Sequence, residues 1–218
     1  MIHPSSWDVY LVTDRSFSKG RSTLEIVEAA VNGGVSVVQL REKDLVTREF
    51  YIEGIRIREF LRSERVPLII NDRIDIAMAL DADGVHLGQE DMPIRIARKI
   101  LGPDRIIGLS VNEPKQIDEE AFAFADYLAI SPVFSTATKV DITPPWGLKG
   151  LRHARTLTDL PLIAIGSINL ENAGEVVMAG ADCIAVVTAI VSAEDPAGAA
   201  RSLVHAVKKA KRPRPAKT

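Results

Sequence analysis

The chain has 218 residues, 46% of them hydrophobic and 26% charged, with a formal net charge of −2 and a single cysteine. That length holds one large core, the composition excludes a disordered chain, and one thiol excludes an internal disulfide framework. No apolar run approaches the roughly 20 residues that cross a bilayer, and the start MIHPSSWDVY lacks the basic and apolar stretches of a secretory signal.

A cytoplasmic protein with no membrane partner is therefore expected. Six of the 27 basic residues lie from Lys208 onward with no acidic one among them, leaving a body of 21 basic and 29 acidic residues, about −8. An acidic body speaks against a nucleic-acid surface. The expected organisation is a single domain over residues 1–218, with a short N-terminal extension (1–7) and a basic, flexible tail from about residue 210. Homo-oligomerisation is left open.

In chain order, short β-branched runs predict strands at 9–13, 35–40, 68–70, 84–87, 106–109, 127–130, 162–165 and 183–187. The stretches between them predict helices at 23–32, 47–62, 73–80, 93–101, 113–125, 147–158, 170–179 and 195–209. The strands are apolar throughout rather than alternating, which suits a parallel sheet buried on both faces. Gly33-Gly34, Gly102-Pro103 and Gly180 stand where helices should stop. Strict βα alternation allows a closed barrel or a doubly wound sheet. The turn after the first strand, VTDRSFSKG, carries no glycine-rich nucleotide fingerprint. The expected fold is thus α/β, a single-domain (β/α)8 TIM barrel, whose active site would lie at the C-terminal ends of its strands.

Polar residues gather at those ends. After the second strand, VVQLREKD places Gln39, Arg41 and Lys43 on one side of an extended segment, where amide, guanidinium and ammonium suit a polyanion such as pyrophosphate. A solvated strand end is the plainer alternative. Asp72, in IINDRID, and Asp91, in GVHLGQEDMP, each stand where a helix N-cap is expected. Two carboxylates at adjacent strand mouths beside cations could equally hold Mg2+ together with substrate phosphate oxygens. His86 reads as a packed core histidine and Cys183 as a small buried residue. Ser110 ends the fifth strand. The connection SPVFSTATKVDITPPWG, with Ser135, Thr136, Thr138 and Lys139, has the length of a lid. The turns AIGSI and VVTAI after the last two strands offer a phosphate cradle.

Taken together, YLVTDR, VVQLREKD, LIINDR, GVHLGQEDMP, IIGLS, DYLAISPVFSTATK and IAIGSI resemble, in order and spacing, the thiamine-phosphate synthase (thiamine-phosphate pyrophosphorylase) family, from residue 9 to about residue 190. The resemblance implies a (β/α)8 barrel that joins 4-amino-2-methyl-5-(diphosphooxymethyl)pyrimidine to a thiazole phosphate, giving thiamine phosphate and pyrophosphate. It implies that Gln39, Leu40, Arg41, Glu42, Lys43, Asn71, Ser110 and Lys139 hold the pyrimidine pyrophosphate, with Arg41, Lys43, Ser110 and Lys139 catalytic. Asp72 and Asp91 would bind one Mg2+ per site. Thr136, Ala137, Thr138, Ser167, Val187 and Thr188 would hold the thiazole phosphate. Two positions depart from the family pattern: Ser167 replaces a turn glycine and Thr188 a serine. At Ser167 a negative φ is expected, with the hydroxyl free to add a donor to the phosphate. The alternatives are a thiazole tautomerase-like isomerase and a non-catalytic barrel that binds a phosphorylated ligand.

Overall fold

In a computed structural model, which describes residues 3–135 and 144–211, eight parallel strands close into a barrel in simple sequence order. They are β1 (Val9–Val12), β2 (Val37–Leu40), β3 (Leu68–Asn71), β4 (Gly84–Leu87), β5 (Ile106–Val111), β6 (Tyr127–Ile130), β7 (Leu162–Ile165) and β8 (Cys183–Val186). The ring shuts where Tyr10 of β1 registers with Ala185 of β8. Around it lie α1 (Thr23–Asn32), α2 (Thr47–Glu64), α3 (Ile74–Ala79), α4 (Ile94–Leu101), α5 (Glu119–Phe124), α6 (Gly147–Leu157), α7 (Ala173–Met178), α8 (Thr188–Val191) and α9 (Pro196–Ala210). Among the described residues no helix is long and apolar enough to cross a membrane.

The helices form where the sequence supplies both an apolar stripe and a stop. In α1, Ser22 and Glu25 make a reciprocal capping box, while Ile26, Val27 and Ala30 face the sheet. Apart from shifts of one to three residues at several ends, two stretches differ from expectation. The stretch 113–125 breaks into a 3-10 turn (Pro114–Gln116) and α5, because Asp118 starts a fresh helix by accepting from the Ala121 N–H. Beyond β8 the four-residue α8 intervenes before α9; four residues are too few for a helical period to show in sequence.

Two cores result from the alternation of side chains along each strand. The outer one lies between sheet and helices. The inner one fills the barrel with Trp7, Tyr10, Val37, Ile69, Ile106, Tyr127, Ile163 and Cys183, as the buried-cysteine expectation required. Trp7, within the segment read as an N-terminal extension, is fully buried and packs edge-on against Tyr10 and Tyr127 at ring-centroid separations of 5.6 and 5.5 Å. Lys211, at the start of the basic tail, donates to the Trp7 carbonyl and pairs with Asp8, both at 2.7 Å. This aromatic cluster fills the barrel interior beside Trp7, which precedes β1, and the barrel opens at the C-terminal ends of its strands.

Candidate active site

At that open end lies a cavity of about 730 Å3. Its walls include Gln39, Arg41, Lys43, Asn71, Asp72, Asp91, Ser110, Ser167, Val187 and Thr188, so ten residues singled out from sequence converge on one space. Thr136, Ala137, Thr138 and Lys139 lie outside the described residues. Leu40 and Glu42 point the other way: Leu40 belongs to the outer core, and the Glu42 carboxylate is buried 3.4 Å from Thr23 Oγ1 and 3.5 Å from Arg15 Nε.

Gln39, Arg41 and Lys43 reach the cavity by a route different from the extended segment expected. β2 ends at Leu40. Beyond it the chain is held by a side chain, the Arg41 N–H donating to Thr13 Oγ1 at 2.9 Å. Arg41 Nη1 then pairs with Asp14 Oδ2 at 2.6 Å, both side chains largely buried. Asp14 is a site-shaping residue that the sequence reading missed. Its only signal was its place just past a strand end, where it also caps a 3-10 turn by accepting from the Ser16 N–H.

Asp72 and Asp91 cap neither of the helices that follow them. The N-caps of α3 and α4 are Arg73 and Pro93, neither with a side-chain cap. Asp91 Oδ2 accepts from the Gly88 N–H at 2.6 Å, closing its own turn. Asp72 sits at a left-handed φ of 60° and receives the Asn71 side chain. The two carboxylates line the same part of the cavity, close enough for Asp91 to act on Asp72. Burial first, and then the Asp91 charge, push Asp72 up to about 6, against the opposing pull of Lys43. Two carboxylates thus stand near each other beside Lys43 and Arg41 on the cavity wall. The capping explanation does not account for it.

At the seventh strand the expectation fails. Ser167 has a φ of 49°, and its hydroxyl donates to the Ser135 carbonyl at 2.6 Å. The turn does need the left-handed conformation that glycine adopts freely, and the serine hydroxyl is engaged by the chain rather than left for a ligand. The preceding Gly166, at φ 115°, is required for a second reason: a Cβ there would stand 2.8 Å from Pro132 Cβ. Val187 and Thr188 stand at the start of α8, where Val187 is the N-cap.

His86 is buried and hydrogen-bonded, as expected of a core histidine, yet it also lines the cavity. Its Nε2 lies 2.9 Å from Ser110 Oγ and its Nδ1 2.9 Å from the Tyr127 hydroxyl.

The profile of the thiamine monophosphate synthase family matches residues 9–190, most of the barrel and every described wall residue named above. The chain belongs to that family. It is 50% identical to the thiamine-phosphate synthase of Albidiferax ferrireducens over 202 residues, covering 91% of this chain and 92% of the relative. It is 49% identical to the thiamine-phosphate synthase of Clostridium novyi over 200 residues, covering 92% and 98%. The thiamine phosphate pyrophosphorylase of Pyrococcus furiosus superposes with a TM-score of 0.87 at 38% identity, covering 95% of this chain and 98% of that one. A 3-hexulose-6-phosphate synthase superposes at 0.69 with 16% identity and so shares the fold alone.

Proposed function

We propose that this family member couples 4-amino-2-methyl-5-(diphosphooxymethyl)pyrimidine to a thiazole phosphate, releasing pyrophosphate and forming thiamine phosphate in a Mg2+-dependent reaction. The observation that carries this reading is the convergence of Arg41, Lys43, Asn71 and Ser110 with the Asp72–Asp91 pair on one cavity. Arg41, Lys43 and Asn71 face the place where a diphosphate would lie, and Asp72 and Asp91 stand at its edge.

The carboxylate pair fits a hard divalent cation. Two protein oxygens suffice for Mg2+, which keeps waters and completes its shell with phosphate oxygens. Asp72 and Asp91 would hold it, and it would supply charge neutralisation on the diphosphate when bound. Arg41 and Lys43 stabilise the negative charge that grows on the diphosphate as its bond to the pyrimidine methylene breaks. Lys139 would join them. The methylene carbon, left electron-deficient, is captured by the thiazole nitrogen, whose own phosphate is held by the turns at Ser167 and Thr188. No protein base is needed in this sequence. The protein's task is to align two substrates and exclude water.

Both alternatives lack a use for this arrangement. An isomerase acting on a thiazole phosphate, or a barrel that merely binds one, has no need of a carboxylate pair beside Arg41 and Lys43. The deciding experiment measures pyrophosphate formed from both substrates with Mg2+ and with chelator. Stoichiometric pyrophosphate and thiamine phosphate, abolished by chelator, are expected. Isomerisation of the thiazole alone, or binding without turnover, would refute the proposal.

A further inference from the structure

The cavity floor carries a line of buried side chains that the coupling reaction does not itself call for. Gln39 Nε2 lies 2.9 Å from the Tyr10 hydroxyl, which lies 3.0 Å from that of Tyr127. The Tyr127 oxygen is 2.9 Å from His86 Nδ1, and His86 Nε2 is 2.9 Å from Ser110 Oγ. The two ends of the line sit on β2 and β5, three strands apart around the barrel, and both face the cavity. Tyr10 and Tyr127 are 1% and 0% exposed. The His86 ring stacks on the Tyr127 ring at an interplanar angle of 15°. Room for the Tyr127 phenol comes from Gly108, in register with it on β5, where any Cβ would overlap the ring.

Donor counting gives the line a direction. An amide nitrogen only donates, and with that nitrogen placed toward Tyr10 the Gln39 N–H points at the Tyr10 oxygen, whereas the opposite amide placement would run every link the other way. The Tyr10 proton then goes to Tyr127, and the Tyr127 proton to His86 Nδ1. Nδ1 is therefore the bare nitrogen of a neutral ring, and the proton on Nε2 is donated to Ser110 Oγ. Reversing a single link would set two protons against each other where little water can intervene, a costly arrangement. Burial raises both phenols above their ordinary range, so neither link is lost by ionisation.

We propose that Tyr10, Tyr127 and His86 are positioning residues that fix the hydrogen-bond polarity of the pyrimidine site, holding His86 as its Nε2–H tautomer so that Ser110 offers its proton, and Gln39 its carbonyl oxygen, to one substrate. The proposal rests on Gln39 and Ser110 contacting the pyrimidine pyrophosphate. It makes opposite walls of the cavity one unit: the orientation of an amide on β2 dictates whether a hydroxyl on β5 is donor or acceptor. A site so polarised favours a ligand that presents a donor toward Gln39 and an acceptor toward Ser110, and disfavours the reverse.

Nitrogen-15 NMR of the full-length protein, labelled at histidine and without substrate, reads the tautomer directly, with His86→Asn assigning the resonance. A neutral ring with Nε2 protonated and Nδ1 bare is expected, and loss of that preference in Tyr127→Phe. A ring protonated at Nδ1 alone, or at both nitrogens, in the unaltered protein overturns the proposal, whether or not any variant folds. In kinetics, Tyr10→Phe and Tyr127→Phe should each raise KM for the pyrimidine pyrophosphate about tenfold while KM for the thiazole phosphate stays within about twofold. Equal rises in both, or in neither, would also overturn it. Ser110→Ala separates the layers: if it leaves the pyrimidine KM unchanged, the contact on which the proposal stands is wrong, while the NMR result still decides the polarity.

Discussion

Ser167 donates its hydroxyl to the Ser135 carbonyl from a backbone φ of 49°, tying the turn after β7 to the chain that leaves β6. Two opposing effects meet at this residue. A non-glycine side chain in the left-handed region costs on the order of 1 kcal/mol, and an exposed hydrogen bond returns part of that. Ser167→Gly should therefore be close to neutral in urea denaturation, within about 0.5 kcal/mol, whereas Ser167→Ala keeps the strain, loses the bond and should cost about 1 kcal/mol. Equal losses in both variants would show that the hydrogen bond contributes little.

The nearness of Asp91 to the half-buried Asp72 predicts a trade between stability and activity. The folded pKa of Asp72 is raised to about 6, above its ordinary 3.8. Its contribution to stability is thus fully present below pH 4 or so and lost as the pH rises through about 6. At pH 7.5 the metal-free protein carries that penalty, so Asp72→Asn should stabilise it by on the order of 1 kcal/mol, the full linkage value being discounted for solvent screening. The gain should vanish at pH 4, and turnover should fall by orders of magnitude. Asp91→Ala should lose turnover likewise with the fold preserved. Near-normal activity in either variant would remove the carboxylates from catalysis.

What was legible in the sequence follows from how local each signal is. Every strand of the barrel could be placed because buried parallel strands write continuous apolar runs, and Gly102 could mark a helix end because caps are local chemistry. The convergence of Arg41, Asp72, Asp91 and Ser110 was legible because a barrel gathers its strand ends on one face. Conformation at a single residue was not: a turn glycine replaced by serine left both signs of φ open at Ser167. Glu42 lies outside the cavity, on the side where alternation along the strand puts it, although the resemblance implied a substrate contact there. Long-range pairings were equally hidden. Arg41 meets Asp14 across 27 residues of chain and Tyr10 meets Tyr127 across 117, separations at which no spacing rule operates.

The ion pair between Arg41 and Asp14 is expected to aim the guanidinium at the diphosphate. Asn at position 14 would keep the cap on the Ser16 N–H and lose the charge-assisted grip on Arg41. Asp14→Asn should raise KM for the pyrimidine pyrophosphate about fivefold and leave that for the thiazole phosphate unchanged. A lower KM would mean that Asp14 neutralises Arg41 more than it orients it.

Glu42 gives the sharpest test of which residues around β2 face the substrate. Its carboxylate is buried behind the strand, near Thr23 and Arg15. Burial first, and then the Glu53 charge, raise its pKa from 4.5 to about 7 against the opposing pull of Arg15. A raised carboxylate pKa contributes stability that is fully present below about pH 4.5 and lost as the pH rises through 7. Glutamine is neutral at every pH and of the same shape. Glu42→Gln should match the parent in Tm near pH 4 and exceed it in stability above pH 7, by on the order of 1 kcal/mol after allowance for screening and the lost Arg15 pairing. Because the side chain lies outside the cavity, KM for the pyrimidine pyrophosphate should stay within about twofold of the parent. A tenfold rise, with the stability profile unchanged, would mean that Glu42 turns into the cavity when substrate binds, and its place among the substrate contacts would be restored.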